Sequence, residues 1–201
     1  MNSTVDGGVD YVFGYGSLVE LTDSVTIDGH VYPPVPGRLR GFHRRWGAAM
    51  NNWETTELEK HFVDPETGEK PKIRVAYLDI EQRSGARVNG LAIPVDAKRL
   101  AELDIREVNY IRIEVTEAFE PAMNGRVFTY TGTAAARERS RAEQVSAPGF
   151  VSREYVAAIR RAFAALGADA LAEFDRTTEP LQFPLRHLEP RYPPPSEGES
   201  D

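Results

Sequence analysis

The sequence predicts an α+β fold: a sheet curled around a core, with helices on its flanks. Short runs rich in strand-forming residues crowd the first half of the chain, at 9–12, 39–46, 73–78 and 88–95. Helical patterns arrive later and in separate blocks. No regular strand–helix alternation of the kind that builds a doubly wound sheet is present.

Taken in order, residues 1–8 read as a loose tail, followed by the run Val9-Asp10-Tyr11-Val12. That strand ends in Phe13-Gly14-Tyr15-Gly16-Ser17-Leu18, where two glycines leave amide groups uncovered by side chains. Amides turned toward one point can hold a carboxylate or a developing oxyanion; a plain turn after a strand is the other reading. Val19 stands where a dinucleotide fingerprint needs a small third residue and where a nucleophile elbow on Ser17 needs glycine. No Gly-Lys-Ser/Thr follows, which excludes a P-loop.

A turn-rich connection leads to 37–46, where arginines alternate with Leu39, Phe42 and Trp46. RNA recognition is one reading of such interleaving. A strand pair with the apolar residues inward and the arginines solvated is preferred, because the surrounding chain is acidic. Residues 51–72 are polar and read as an insertion or long surface loop, or as a lid over a site. After the strands at 73–78 and 88–95, Asp96 is placed to cap a helix over 97–104, with Leu100, Leu103 and Val108 on its buried face. Residues 110–115 alternate as a half-buried strand does, and 127–130 form another.

The stretch 134–144 is helical in propensity and charged enough for the surface. Ser152 caps a stronger helix over 153–166, with Tyr155, Ile159, Phe163 and Leu166 as its stripe and Gly167 as its stop. A short helix is expected at 169–175. The proline run from 193 and the acidic end read as a disordered tail over 191–201. One domain over 9–190 accounts for these elements.

Composition narrows the function. The 201 residues, 41% hydrophobic and 27% charged, suit one well-packed domain. A net charge of −7 argues against nonspecific nucleic-acid binding. No apolar run approaches the roughly 20 residues that cross a bilayer, and no signal peptide is expected. With no cysteine there is neither disulfide nor thiolate metal site, and a cytoplasmic location is the expectation. His30, His43, His61 and His187 lack metal-ligand spacing and are read as structural or exposed. No metal is expected.

Glu107 is the candidate chemical group. It falls where the helix gives way to the next strand, and partial burial there raises a carboxylate's pKa toward usefulness as a base. Pairing with Arg106 or Arg112 on the surface is the plain reading. Asp104, three residues earlier, shares the helical face; a glycosidase-like carboxylate pair is disfavoured, and Asp104 is expected to bond to nearby backbone.

These pieces together resemble the γ-glutamylcyclotransferase-like family across most of residues 10–166. The matching motifs are Tyr15-Gly16-Ser17-Leu18, Gly90-Leu91-Ala92-Ile93, and Leu103-Asp104-Ile105-Arg106-Glu107 before the tyrosine-led strand from Tyr110. A late Ser152-Arg153-Glu154-Tyr155-Val156-Ala157-Ala158-Ile159 completes them. The resemblance implies a compact, mixed, barrel-like α/β fold and a cofactor-free intramolecular aminolysis. Glu107 would be the general acid and base, and the loop Tyr15, Gly16, Ser17 and Leu18 would hold the γ-glutamyl group. Tyr155 and Tyr110 would line the pocket, and the partner would be a small γ-glutamyl compound. Val19-Glu20-Leu21-Thr22, residues 51–72 and the segment after Gly167 depart from the glutathione-specific branch. A non-catalytic member of the same fold that binds a small carboxylate or a protein is the alternative function.

Overall fold

The computed structural model describes residues 8–56, 59–141 and 147–192, so the tails expected at the two ends fall mostly outside the described residues. The elements run β1 (Asp10–Gly14), β2 (Val25–Ile27), β3 (His30–Tyr32), β4 (Val35–Asn51), β5 (His61–Val63) and β6 (Arg74–Val95). They continue with α1 (Ala97–Arg106), β7 (Tyr110–Glu114), β8 (Phe119–Glu120), β9 (Val127–Gly132) and α2 (Ala134–Arg141). The last are β10 (Gly149–Ser152), α3 (Arg153–Ala165), α4 (Ala168–Thr177), β11 (Leu185–Arg186) and β12 (Glu189–Arg191).

Two long strands are the frame. β4 and β6 pair antiparallel from Val35↔Ala92 to Asn51↔Arg74, with register shifts between Arg40 and Phe42 and between Arg45 and Ala48. Extra residues on one strand bend and twist a ribbon, and this one is bent enough for its two halves to take different neighbours. The later half of β6 pairs with β1, which in turn pairs in parallel with β9, and β9 carries β7 at its other edge. The earlier half of β6 pairs in parallel with β10. Parallel and antiparallel ladders thus share one mixed sheet.

The sheet curls until β9 comes back to the early half of β6. There the Thr131 hydroxyl donates to the Ile80 carbonyl (2.8 Å), and the Gly132 amide donates to Asp79 Oδ1 (2.7 Å). The core lies inside this curl: Phe13, Leu39, Leu78, Leu91, Leu103, Ile159 and Phe163 are all within it. The α+β, barrel-like curled sheet with flanking helices expected from sequence is the observed architecture.

Capping follows the sequence closely. Asp96 accepts the Arg99 amide (2.7 Å) at the start of α1, and Ser152 accepts that of Tyr155 (3.3 Å) at the start of α3. Val108 departs from expectation: it is 77% exposed. Helix α1 ends at Arg106 and Glu107 already leaves helical geometry, so the 3.6-residue spacing that counts Val108 with Leu103 stops one residue short.

Two further differences concern arginines. In β4, Leu39, Phe42 and Trp46 point inward as expected, yet Arg44 is fully buried with them. Its guanidinium lies over Phe163 and Phe174, at 5.1 and 4.5 Å, and donates to the Asn89 carbonyl and to Thr178 Oγ1. Stacking and hydrogen bonds replace the lost water, while burial pulls the pKa of Arg44 down to about 9. Helix α2 lies on the surface as expected, with Ala136 its buried residue, but two of its arginines turn to the sheet: Arg139 donates to the Ala49 carbonyl (2.7 Å), and Arg137 pairs with the buried Asp79 (2.7 Å).

Residues 51–72 are tied down at both ends. The Asn52 side chain donates to the Phe62 and Pro71 carbonyls and accepts the Phe62 amide, at 2.9, 3.0 and 2.8 Å. Strand β5 pairs with β12, and Phe62 joins Met50, Ile73, Val75, Tyr77 and Leu188 in a second, smaller core.

Candidate functional site

The turn after β1 is shaped by close approaches. A Cβ on Gly14 would come 2.7 Å from Leu18 Cβ, and one on Gly90 would come 2.1 Å from the Gly14 carbonyl oxygen. Only glycine at these positions lets the chain fold back on β1 while β6 passes beneath. Ser17–Glu20 then form a 3₁₀ turn with Leu18 and Val19 buried. The Val19 amide bonds to the Gly16 carbonyl (3.1 Å), whereas the Ser17 and Leu18 amides have no backbone acceptor among the described residues. First-turn amides of this kind are ready donors for an anion.

Across from the turn stands Glu107, held by the backbone. Its amide donates to the Leu103 carbonyl (2.9 Å) and its carbonyl accepts the Tyr110 amide (2.8 Å). The side chain is 17% exposed, and its nearest cation is Arg106, 3.6 Å away at Nε. Burial pushes the Glu107 carboxyl above the usual carboxylate range; Arg106 and Lys60 pull it back only in part. The plain surface pairing read from sequence is therefore present only as this long contact to Arg106. Arg112 goes to Asp104 instead (2.8 Å).

One pocket joins the two. Phe13, Gly14, Tyr15, Gly16, Ser17, Leu18, Leu78, Glu107, Tyr110, Tyr130 and Tyr155 line it, so every site residue singled out in the sequence meets the others here. Two of the tyrosine hydroxyls are occupied by the scaffold: Tyr15 donates to the Tyr130 carbonyl (2.8 Å) and Tyr110 to the Leu78 carbonyl (2.7 Å), whereas the Tyr155 hydroxyl faces Gly16, 3.5 Å from where a Cβ on that glycine would stand. Burial raises the pKa of all three tyrosines, as it raises that of Glu107, the pocket's one carboxyl.

Asp104 does not bond to local backbone as expected. It accepts the Tyr130 hydroxyl (2.8 Å) on one oxygen and Arg112 on the other, and so fixes the Tyr130 wall. Tyr130 and Leu78 are pocket residues that the sequence did not signal; both sit in ordinary strand runs, and only the curl of the sheet brings them in. Another depression, lined by Ala134, Arg137, Glu138 and Arg141, runs along α2, but Arg137 and Arg141 are committed to Asp79 and Glu81. Among the described residues no group of three His, Asp or Glu side chains could hold a metal ion, and no helix is long and apolar enough to cross a membrane.

Among solved structures, one described as a γ-glutamyl cyclotransferase aligns over 88% of this chain and 92% of its own, at 19% identity and a TM-score of 0.50. The chain has the γ-glutamylcyclotransferase fold. An uncharacterized protein from Homo sapiens aligns over the same shares, 88% and 92%, at 19% identity and a TM-score of 0.51. No protein-family model matches the chain, and no curated protein matches its sequence. At such identity the likeness to these cyclotransferase-fold structures speaks for architecture, and chemistry must be argued from the pocket itself.

Proposed function

We propose that the protein is a γ-glutamylcyclotransferase, cleaving a γ-glutamyl amine or peptide to 5-oxoproline and a free amine. The observation that carries this reading is a buried Glu107, its carboxyl pushed above the usual carboxylate range, in the same pocket as Ser17 and Leu18, whose amides have no backbone acceptor among the described residues. The turn receives the γ-glutamyl group, its amides answering a carboxylate or the oxyanion formed at the γ-carbonyl. Glu107 removes a proton from the substrate's α-ammonium group. The freed amine forms a bond to the γ-carbon, and the bond from that carbon to the departing nitrogen breaks as Glu107 returns the proton to that nitrogen. The second proton of the ring nitrogen then passes by way of the same carboxylate to the departing amine, which leaves as an ammonium.

Atoms balance without water, metal or redox partner. The tyrosine wall serves this chemistry by staying rigid, since the Tyr15 and Tyr110 hydroxyls are already held by the Tyr130 and Leu78 carbonyls. A folded substrate held against a fixed wall has its two reacting atoms near each other, which removes much of the entropic barrier to ring closure.

Mass-spectrometric detection of 5-oxoproline, with glutathione and a panel of γ-glutamyl amines and dipeptides, tests the proposal, with Glu107→Gln alongside. Product from wild type and none from the variant is the expected result. Equal product from both would remove Glu107 from the mechanism. No product across the panel would favour a non-catalytic carboxylate-binding role for the same pocket.

A further inference from the structure

Lys60 belongs to residues 51–72, the stretch with no counterpart in the resemblance, yet its charge reaches the pocket. Its ammonium lies over Phe62, Tyr77 and Tyr192, at 5.5, 5.4 and 5.5 Å from the ring centroids. Tyr77 in turn packs edge-on against the pocket residue Tyr155, with centroids 5.2 Å apart. Lys60 and Arg106 both act electrostatically on Glu107, and on each other.

Among the described residues this ammonium meets the three rings and has no hydrogen-bond acceptor or carboxylate partner. The adjacent Glu59 is turned away and accepts the Thr56 amide (2.8 Å) and hydroxyl (3.1 Å). Aromatic faces hold a cation in place without neutralising it. The strand β5 that begins at His61 is fixed by β12 and Asn52, so the lysine stands on a supported edge.

We propose that Lys60 is a specificity-determining residue that binds a carboxylate on the departing amine of the substrate. This rests on the cyclotransferase reading of the pocket. The glycine turn takes the glutamyl half, and Glu107 must face the departing nitrogen to reprotonate it. On this reading the departing half lies toward Arg106, 3.6 Å from Glu107, and Lys60, the two cations whose charge acts on Glu107. The substrate class selected is a γ-glutamyl amino acid or peptide with a free carboxylate, in preference to a neutral γ-glutamyl amine.

The test compares γ-glutamylglycine with γ-glutamylglycinamide, which differ only in that charge. Wild type is expected to favour the acid in kcat/KM by about tenfold, the scale of one charge-assisted contact. Lys60→Met keeps the stem over the rings; it should bring the ratio of the acid's kcat/KM to the amide's near one at every pH, whatever the shift it causes in Glu107 does to both rates together. A preserved ratio in the variant, or equal loss on both compounds, would overturn the proposal. Should wild type turn over neither compound, titration calorimetry with the same pair decides separately. A preference for the acid that vanishes in Lys60→Met upholds anion recognition while the cyclotransferase reading falls. Equal binding of the pair, or none, sinks the role given to Lys60.

Discussion

Asp79 and Glu107 are both carboxylates withdrawn from solvent, and the protein treats them in opposite ways. Asp79 is surrounded by donors: the Ile80 and Gly132 amides at 2.8 and 2.7 Å, and Arg137 Nε at 2.7 Å. Every lone pair of consequence is used, so the group latches β9 and α2 to β6. Glu107 has one ion-pair contact, to Arg106 at 3.6 Å, and stands among tyrosines of which Tyr15 and Tyr110 give their hydroxyls to backbone carbonyls. A buried carboxylate with its donors present is structural; one denied them holds its proton longer and can pass it on.

The sharpest way to break this contrast is to remove each charge in turn. Glu107→Gln should lower turnover about 10²- to 10⁴-fold, the usual contribution of a positioned acid–base group, while the thermal transition stays in place. Its pH dependence is fixed in sign. Because burial raises the folded-state pKa, the folded protein binds more protons than the unfolded chain between the ordinary carboxylate value and the raised one. Wild-type stability therefore falls as pH rises through that window. Glu107→Gln lacks this loss and should be at least as stable as wild type at pH 7, with the gap closing in acid. The acid limb of kcat/KM should likewise lie above the ordinary carboxylate range. A variant clearly less stable at pH 7 would mean that Glu107 is held as Asp79 is.

Asp79→Asn should do the reverse, costing about 3 kcal/mol in urea denaturation because Arg137 and two backbone amides lose a charged acceptor. Any protein that remains folded should keep its pocket, since Asp79 is not among the lining residues. Catalytic loss greater than the loss of folded protein would show that the latch and the pocket are coupled.

Why one of these carboxylates was legible in the sequence and the other was not follows from distance along the chain. Glu107, the glycine turn and the caps Asp96 and Ser152 are local devices: a helix end, a strand end, a side chain three residues from its amide. Asp79 meets partners more than fifty residues away. Tyr130 and Leu78 reach the site only after β6 has bent and the sheet has curled back on itself. Arg44 misled because alternation gives a side chain's face and not its surroundings: Phe163 and Phe174, which flank it, lie about 120 residues on. Local periodicity states which way a residue points; only the assembled sheet states what waits there.

Val108 is the smallest test and separates the two causes of Glu107's burial. It follows Glu107 directly and is apolar, which makes it an apparent lid over the carboxyl, but it is exposed and forms no part of the core. The shielding must then come from the pocket side, where Leu78, Tyr110 and Tyr155 stand. Val108→Ser should change stability by no more than about 0.5 kcal/mol, as for a surface position. The acid limb of the pH profile should stay where it is. A shift of that limb toward lower pH would place part of the desolvation on Val108, and the contrast with Asp79 would then depend on the outer rim of the pocket as well as its tyrosine wall.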